Sequence, residues 1–251
     1  MKKLLLLLVV SLVFLGTAAN AAIANVEYNF DETSGLVAAD GVASNDATLS
    51  GFAGDDSQWV DGLVGNALSM GAGNNLVFPT SSTAGQKYSI SFYMKAPDNA
   101  SGITKLYGEY NAANGSNMEI GLYWGTIKFY QGSSGWGFAQ EVLTGTVADN
   151  EWHHIVASND FGQMSVYIDG VLSNSGSYDA SATSYVTPDI NYFSHPNAAY
   201  SYNGLVDGLT TYNGAVLTTG EIADLAAVVP EPATMALLGL GSLLLRRKKN
   251  I

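Results

Sequence analysis

The chain has 251 residues, no cysteine and a formal net charge of −12 at pH 7. Residues 22–232 hold only four of the ten basic residues, all lysines, against 22 acidic residues, so this part of the chain has a net charge of −18. A surface this acidic repels nucleic-acid backbones and anionic lipid headgroups, which argues against nucleic-acid binding and peripheral membrane attachment. Cations and neutral glycans remain compatible partners.

Residues 1–22 have the three parts of a secretory signal peptide. A basic Lys2-Lys3 pair precedes an apolar run from Leu4 to Leu15, and Ala19-Asn20-Ala21 forms a cleavage signal of small residues. The alternative is a membrane anchor, but the run is shorter than the roughly 20 residues that a span needs. We therefore expect the mature chain to be exported across the inner membrane.

The exported part must fold without disulfides, because it has no cysteine even though export would permit them. About 205 residues lie between the two terminal segments, which is enough for one hydrophobic core. A single domain over residues 23–228 is expected.

Apolar and polar residues alternate in many short runs that are rich in β-branched and aromatic side chains, which predicts strands. They are expected near residues 25–30, 66–70, 75–78, 88–96, 103–109, 118–123, 126–131, 136–142, 152–158, 164–169 and 203–212. In the strand over 88–96, Ile90, Phe92 and Met94 form the inward row. The many short strands with Gly, Asn and Ser connections are typical of a sandwich or barrel.

One helix is predicted, from Thr218 to Ala226, because Thr218 or Thr219 can cap it and Glu221 lies in its first turn. The small polar segments 97–102, 111–117 and 173–185 are predicted to be loops with the highest mobility.

The stretch from Trp152 to Leu172 predicts three short antiparallel strands in succession. Two strand-like runs flank the turn-forming residues 159–162, and in the second run Met164, Val166 and Ile168 form one apolar face. Asp169-Gly170 then supplies the positive φ angles of another tight turn.

This hairpin, with Trp-His-His-Ile-Val followed by Val-Tyr-Ile-Asp-Gly, resembles the central hairpin of laminin-G-like domains, which belong to the concanavalin A-like lectin and glucanase superfamily. Other segments resemble the family in its own order: Tyr28–Gly35, Gly62–Met70, Tyr88–Ala96, Gly204–Leu209 and Glu221–Leu225. The resemblance covers roughly residues 25–226. It implies an all-β, antiparallel jelly-roll β-sandwich with one short C-terminal helix.

The C-terminal segment, residues 229–251, resembles the PEP-CTERM sorting signal of Gram-negative bacteria that make exopolysaccharide. Pro230-Glu231-Pro232 is followed by an apolar run and then by a basic cluster that includes Arg246 and Arg247. The resemblance implies an exosortase as processing partner, only transient membrane contact through the tail, and a final place at the cell surface or in the extracellular matrix. An ordinary anchor is the alternative, although the apolar run of about 13 residues is short for a span.

Catalytic residues are not evident in the sequence. Glucanases of this superfamily carry acidic residues that alternate along one strand, whereas Glu119 and Glu141 lie alone in their predicted strands and Glu109 has no acidic neighbour two residues away. His153 and His154 are adjacent, so a strand directs them to opposite faces and they cannot chelate one metal together. We therefore expect no enzyme, with a divergent glycan hydrolase as the alternative.

Aromatic side chains on the middle strands are the candidates for ligand binding. Tyr123, Trp124, Tyr130 and Trp136 could form a platform on which sugar rings stack. A packed aromatic core predicts the same composition and is the more common explanation.

Three aspartates are candidate ligands of a structural Ca²⁺. On a regular strand Asp207 shares a face with Leu205 and Leu209, so its carboxylate would need backbone donors or a cation. Asp31 and Asp40 follow the first strand and could add oxygen ligands. A hydrogen-bonded structural aspartate is the alternative.

Taken together, the sequence predicts an exported, non-catalytic binding or structural module with an extracellular polysaccharide or surface protein as its partner.

Overall fold

The computed structural model describes residues 21–229, except 82, 84, 99–101, 114, 116, 134–136 and 182–187. Within these residues the elements are β1 (Val26–Tyr28), β2 (Val37–Ala38), β3 (Ala47–Ser50), β4 (Trp59–Asp61), β5 (Asn66–Met70), β6 (Asn75–Val77), β7 (Lys87–Lys95), β8 (Ile103–Tyr110), β9 (Asn117–Tyr123), β10 (Thr126–Ser133), β11 (Gly137–Thr146), β12 (Trp152–Asp160), β13 (Gln163–Ile168), β14 (Val171–Ser177), β15 (Ile190–Phe193), β16 (Gly204–Asn213) and α1 (Thr219–Ala226). Within this described part, no helix is long and apolar enough to cross a membrane.

The strands form two antiparallel sheets. In sheet A the strand order is β14-β13-β12-β7-β16-β5-β4, and β1 also pairs with β16. In sheet B the order is β11-β10-β9-β8-β15-β6-β3-β2. The predicted antiparallel jelly-roll sandwich is confirmed.

One apolar core fills the space between the sheets. The predicted inward row of β7, Ile90, Phe92 and Met94, is fully buried in it. Phe92 meets Phe193 of sheet B edge to face, with 5.4 Å between the ring centroids. Every residue of this core cluster lies between Val26 and Leu209, so residues 22–229 contain a complete hydrophobic core.

The outward row of β7 is buried as well, because α1 and the segment that leads into it cover this part of sheet A. The Ser89 hydroxyl oxygen accepts a hydrogen bond from the Leu217 N–H, and the Tyr93 hydroxyl donates to the Leu225 carbonyl. A small apolar cluster lies beside these contacts, which we call the helix cluster; its members are Val156, Tyr212, Leu217 and Ile222. The centre of sheet A is therefore closed on both faces.

The helix begins as predicted. Thr218 is the N-cap: its hydroxyl oxygen accepts from the Glu221 N–H, while the Glu221 carboxylate accepts from the Thr218 N–H. This reciprocal capping box satisfies two backbone donors that the first turn would otherwise leave unpaired. Ile222 is fully buried and anchors the helix on the sheet.

The predicted meander is confirmed in β12, β13 and β14. Asp169 and Gly170 have φ angles of 50° and 80°, which the two-residue turn between β13 and β14 requires. The predicted loop over 173–185 is wrong in its first part, because β14 continues to Ser177. β14 is the edge strand of sheet A, and its exposed polar residues give it the composition of a loop.

The two adjacent histidines of β12 lie in different environments. His153 contacts the carboxylates of Asp169 and Asp149, and its hydrogen bond to Asp169 raises its pKa above the ordinary value. His154 is fully buried beside Tyr93, with Nε2 2.8 Å from the Ser91 hydroxyl and Nδ1 without a hydrogen-bond partner among the described residues. Burial lowers the pKa of His154 to about 4.

The free energy of unfolding is expected to fall as the pH is lowered from 6.5 towards 4. An unfolded chain protonates His154 near its ordinary pKa of about 6.5, whereas the folded chain resists protonation down to about pH 4. The unfolded state therefore binds more protons in this window, and linkage gives a loss of about 2 kcal/mol by pH 5. Urea unfolding at pH 7, 6 and 5 measures this loss in the free energy of unfolding.

The matched control is the neighbouring histidine. The stabilisation from His153 is present below pH 6.5 and is lost as the pH rises through its raised pKa, so His153→Gln should keep the acid-induced loss. His154→Gln should remove most of it. An unchanged loss in His154→Gln would contradict this account.

Candidate functional site

The outer face of sheet B carries tyrosine, lysine and glutamate side chains. Alternation along β9 and β10 buries Ile120 and Phe129 in the core and directs Glu119, Lys128 and Tyr130 outward. We call this surface the tyrosine face. It consists of Tyr110, Tyr123, Tyr130 and Tyr192 with Lys105, Glu119, Lys128 and Glu141.

Strand pairing brings the glutamates into one row. Gly108 of β8 pairs with Glu119 of β9, Glu119 with Tyr130 of β10, and Tyr130 with Glu141 of β11. Glu119 and Glu141 are alone along their own strands, as the sequence indicated, but the sheet places them on either side of Tyr130. The row therefore alternates acidic and aromatic side chains across neighbouring strands.

Each of these glutamates is neutralised by a lysine. Lys105 Nζ lies 2.6 Å from Glu119 Oε2, and Lys128 Nζ lies 2.7 Å from Glu141 Oε2. The two lysines flank Gly121 in the next cross-strand row. The face thus presents two ion pairs of opposite charges rather than a cluster of one sign.

Lysine and tyrosine side chains also contact each other directly. Lys128 Nζ lies 4.5 Å from the ring centroid of Tyr123 and 5.6 Å from that of Tyr130, within the range of cation–π attraction. The Tyr123 hydroxyl donates to Glu119 Oε1 at 3.2 Å. Burial, and after it the Glu119 carboxylate, raises the pKa of Tyr123 and of Tyr130, so both hydroxyls stay protonated at neutral pH.

Two tyrosine rings lie directly against glycines of the sheet. A Cβ atom on Gly121 would be 2.7 Å from Cε2 of Tyr123, and one on Gly108 would be 2.5 Å from Cζ of Tyr192. Any larger residue would push these rings away from the backbone. The glycines therefore keep the rings close to the sheet surface.

A small depression of about 210 Å³ lies at the β8–β9–β15 side of this face. Its polar lining includes Lys105, Asn117, Glu119 and His195. The His195 ring meets Tyr192 edge on, 5.4 Å between centroids, and its Nδ1 accepts the Asn197 N–H. Burial, and then Lys105, lowers the pKa of His195, so the imidazole is neutral at neutral pH with its proton on Nε2.

The predicted aromatic platform residues have different positions. Tyr123 and Tyr130 are half-buried on the tyrosine face, and Trp124 is 66% exposed in the turn that follows β9. Trp124 meets the Tyr123 ring at a steep angle, with 6.4 Å between centroids. Trp136 lies outside the described residues, as do the sorting residues Pro230, Glu231, Pro232, Arg246 and Arg247.

The sequence analysis did not select Tyr192, His195 or the two lysines. Tyr192 lies in β15, a four-residue strand that was not predicted. The signal that could have identified it is the Tyr192-Phe193 pair, in which Phe193 is buried in the core and Tyr192 consequently points to the other face.

The three candidate Ca²⁺ ligands do not form one group, because Asp40 is not part of the depression that Asp31 and Asp207 share. Asp40 accepts backbone N–H bonds from Glu27 and Val42 on one oxygen and from Ala43 and Asn45 on the other, each at 3.0 Å. Burial by itself would raise the pKa of Asp40. The four donors outweigh this effect and hold the pKa of Asp40 below its ordinary value. The carboxylate of Asp40 therefore organises the turn after the first strand.

Asp31 and Asp207 share a depression of about 310 Å³ between β1, β7, β16 and the end of α1. Asp207 is 3% exposed, and its Oδ2 accepts from the N–H groups of Leu63 and Val64 at 2.9 and 3.1 Å. Burial raises the pKa of Asp207 against the lowering effect of these donors, and the nearby Asp31 raises it further. Among the described residues, no group of three or more His, Cys, Asp or Glu side chains is arranged to hold a metal ion.

The predicted face of Asp207 is wrong in one respect. The register of β16 against β7 shifts between Asp207 and Thr210, and Gly208 takes a positive φ of 53°. This bulge adds a residue, so Leu209 is in the core while Asp207 points to the opposite, outer face of sheet A.

Gly121→Ala is expected to destabilise the domain by about 1–3 kcal/mol, the range for overpacking. The added Cβ would meet the Tyr123 ring at 2.7 Å and the Thr104 carbonyl oxygen at 2.9 Å. Gly145→Ala is the control, because a Cβ there meets nothing within 4 Å. Equal urea midpoints for the two variants would show that the Tyr123 ring does not depend on Gly121.

Residues 70–223 match the family model of the concanavalin A-like lectin/glucanases superfamily, and residues 228–249 match the PEP-CTERM protein-sorting motif. No curated protein matches the chain in sequence. The sorting motif implies export, sorting to the surface and processing by an exosortase.

Several solved structures share the fold. Domain 4 of AbnA, a GH43 extracellular arabinanase from Geobacillus stearothermophilus solved with arabinotriose, is similar at TM-score 0.64 and 23% identity over 82% of this chain and 99% of that one. Trypanosoma rangeli sialidase with the inhibitor DANA is similar at TM-score 0.60 and 20% identity, over 80% of this chain and 32% of the sialidase. The botulinum neurotoxin serotype D binding domain is similar at TM-score 0.64 and 13% identity, over 81% of this chain and 51% of that domain.

The chain spans about a third of the sialidase and half of the neurotoxin domain, and at these identities the likeness establishes the fold alone. The family model, in contrast, covers more than half of the chain, including most strands of both sheets. The chain therefore belongs to the concanavalin A-like lectin/glucanases superfamily and carries a PEP-CTERM sorting motif at its C-terminal end.

Proposed function

We propose that this exported surface protein is a non-catalytic glycan-binding module and that the tyrosine face of sheet B is its binding surface. The observation that supports this proposal most is the row of tyrosine rings on this face, of which Tyr123 and Tyr130 are half-buried. Gly121 keeps the ring of Tyr123 close to the sheet, and Gly108 does the same for the more deeply buried ring of Tyr192. Sugar rings have an apolar face of carbon-bound hydrogens that stacks on such aromatic surfaces. The exposed indole of Trp124 extends the same surface at its edge.

The polar groups between the rings suit hydroxyl-rich ligands. Lys105 and Lys128 are donors, and Glu119 and Glu141 are acceptors with further lone pairs. A few polar groups among apolar rings are the usual composition of a small-molecule site. Because the residues of this face come from five neighbouring strands, an extended oligosaccharide fits it better than a single enclosed sugar.

The charge of the face favours a neutral glycan over an acidic one. Each lysine of the face is paired with a glutamate, so neither is left to bind a sugar carboxylate or sulfate. His195 is neutral, and the domain carries a large excess of negative charge. An anionic polysaccharide would be repelled at a distance and would find no unpaired cation among the lysines of this face.

A role without catalysis fits these same ion pairs. Glycoside hydrolysis uses one carboxylic acid that donates a proton and one carboxylate that acts as base or nucleophile. Glu119 and Glu141 are each engaged by a lysine ammonium group, and Tyr130 lies between them. The alternative, a divergent glycan hydrolase with these glutamates as its acids, is tested in the same experiment as binding.

Titration of residues 22–229 with neutral oligosaccharides, including arabino-oligosaccharides, is expected to show binding that Trp124→Ala weakens by about fivefold to tenfold, since loss of one stacked aromatic costs about 1–1.5 kcal/mol. Phe161→Ala is the matched control: Phe161 is 59% exposed, but it lies in the β12–β13 turn of the other sheet. Calorimetry gives both affinities.

Equal weakening by the two variants would place the ligand elsewhere. Release of reducing ends that disappears in Glu119→Gln or Glu141→Gln would replace the binding role with hydrolysis.

A structural Ca²⁺ remains a prediction, and its best location is the depression shared by Asp31 and Asp207. Their carboxylates lie near enough for Asp31 to raise the pKa of Asp207, and both face the same cavity. A bound cation would relieve this repulsion. Asp40 is not a further ligand in this proposal, because its oxygens are occupied by four backbone donors.

We also propose that the N-terminal segment, predicted as residues 1–22, is a cleaved signal peptide whose cleavage signal ends at Ala21. We propose further that the host is Gram-negative and that the protein finally resides at the outer surface or in the exopolysaccharide matrix. The basic, apolar and small-residue parts of the N-terminal segment support the first point. The Gram-negative host and the final location are supported by the match of residues 228–249 to the PEP-CTERM sorting motif.

Glu231→Ala should block tail removal while leaving the domain intact. Prolines on either side of Glu231 lack an N–H and cannot continue a helix or a sheet ladder, so the motif should add nothing to the stability of the domain. In a host with an exosortase, mass spectrometry of the surface fraction should detect wild-type protein without Arg246 and Arg247. The variant should accumulate with its tail in the inner membrane.

Glu151→Ala is the matched control, because Glu151 is an exposed acidic residue of the domain far along the chain from the motif. It should be processed like wild type. Mature wild-type protein that still carries Arg246 to Lys249 would contradict the sorting proposal.

A further inference from the structure

Glu221 binds the N-terminus of its own helix with one carboxylate oxygen and the backbone of Ala22 with the other. Its Oε2 accepts hydrogen bonds from the N–H and the hydroxyl of Thr218, each at 2.7 Å. Its Oε1 accepts the Ala22 N–H at 2.7 Å. Residues 22 and 221 are 199 positions apart, so this contact joins the two ends of the domain.

The residues after Ala22 are held in the same region. Ala22 and Ala24 pack against the helix cluster under α1. The Asn25 N–H donates to the Thr211 carbonyl at 2.8 Å, immediately before β1 begins. Ala21, in contrast, is exposed. The Ala21–Ala22 peptide bond therefore separates an exposed residue from a segment that contacts the domain through Ala22 and Ala24, while Ile23 between them is exposed.

Because Ala21 is also the last residue of the Ala-Asn-Ala cleavage signal, we propose that the Ala21–Ala22 bond is the processing site and that the new α-ammonium group of Ala22 forms an ion pair with Glu221. This inference rests on the proposed export. In the cleavage one water molecule is consumed: its hydroxyl adds to the Ala21 carbonyl carbon, which leaves with the signal peptide as a carboxylate. The Ala22 nitrogen becomes a free amine that takes up a proton at neutral pH.

Cleavage converts a neutral N–H donor into a cation that is already at hydrogen-bond distance from a carboxylate. The Ala22 N–H already donates to a charged acceptor before cleavage, and cleavage adds to this bond the attraction between two opposite charges. Since Glu221 also caps α1, the ion pair fastens the mature N-terminus to the helix that precedes the sorting tail. Cleavage one residue later would remove the Ala22 nitrogen, and Glu221 Oε1 would lose this donor.

The ion pair makes stability depend on pH in a defined direction. A free α-amino group has a pKa of about 7.7–8.0, and an adjacent carboxylate raises it in the folded state. The stabilisation is therefore fully present below about pH 7.7 and is lost as the pH rises through the raised value.

The processing site is tested on the full chain, expressed in a host with a signal peptidase and an exosortase. Mass spectrometry of the N-terminal peptide of the exported protein should identify Ala22 as the first residue. An exported protein that begins at another residue overturns the ion pair and leaves export standing. A chain that retains Met1 overturns the export proposal itself.

The ion pair is tested with residues 22–229, which contain the complete core, released from a fusion partner with Ala22 as the first residue. The comparison form retains Asn20-Ala21, and both forms are made with and without Glu221→Gln. At pH 7 removal of Asn20-Ala21 should raise the Tm by about 1–3 °C, the range for an exposed ion pair in a domain of this size. The gain should vanish at pH 9.5.

Asp224→Asn is the matched control, because Asp224 is another exposed acidic residue of α1. The gain in Tm should persist in the Asp224→Asn background and disappear in the Glu221→Gln background. An equal gain in both backgrounds, or no gain at pH 7 with Glu221 present, overturns the proposal.

Discussion

Burial of strand β7 on both of its faces is the constraint from which the rest of the architecture follows. Its inward row, Ile90, Phe92 and Met94, fills the core between the sheets. Its outward side is covered by α1. The Tyr93 hydroxyl of β7 donates a hydrogen bond to the Leu225 carbonyl of this helix, and Ile222 of the helix is fully buried against the sheet. Because α1 covers the centre of sheet A, the access that remains there is the depression beside Asp31 and Asp207, whereas the tyrosine face of sheet B is not covered by the helix.

The tyrosine face is a product of strand pairing and not of any one strand. Glu119, Tyr130 and Glu141 come from three different strands, and each ion pair also joins side chains of neighbouring strands. A pair at a sheet surface contributes little to stability by itself. In the proposed binding role its larger effect is on recognition, because it removes net charge from the face within an otherwise acidic domain and leaves hydroxyls, rings and paired charges for neutral ligands.

The sequence was sufficient to predict the long strands, the meander and the capped helix, since each has a complete apolar pattern or a defined turn or cap. The short strands β2, β3, β4 and β15 were missed because alternation is hard to recognise in two to four residues, although the equally short β1 and β6 were predicted within longer strand-like runs. The bulge after Asp207 depends on the pairing of β16 with β7, and no local pattern reveals it. The sequence likewise identified Tyr123 and Tyr130 as candidates, but the row that Tyr130 forms with Glu119 and Glu141 depends on strand pairing, which no single strand reveals.

The most direct test of the binding surface is NMR of the domain with ¹³C-labelled tyrosine rings, titrated with a neutral oligosaccharide. The account predicts that the ring signals of Tyr123, Tyr130 and Tyr192 shift with ligand concentration. The signals of Tyr28, Tyr88 and Tyr202, which are buried in the core, should remain in place. Shifts confined to Tyr93, Tyr167 and Tyr212 on the outer side of sheet A would contradict the assignment of the binding face to sheet B.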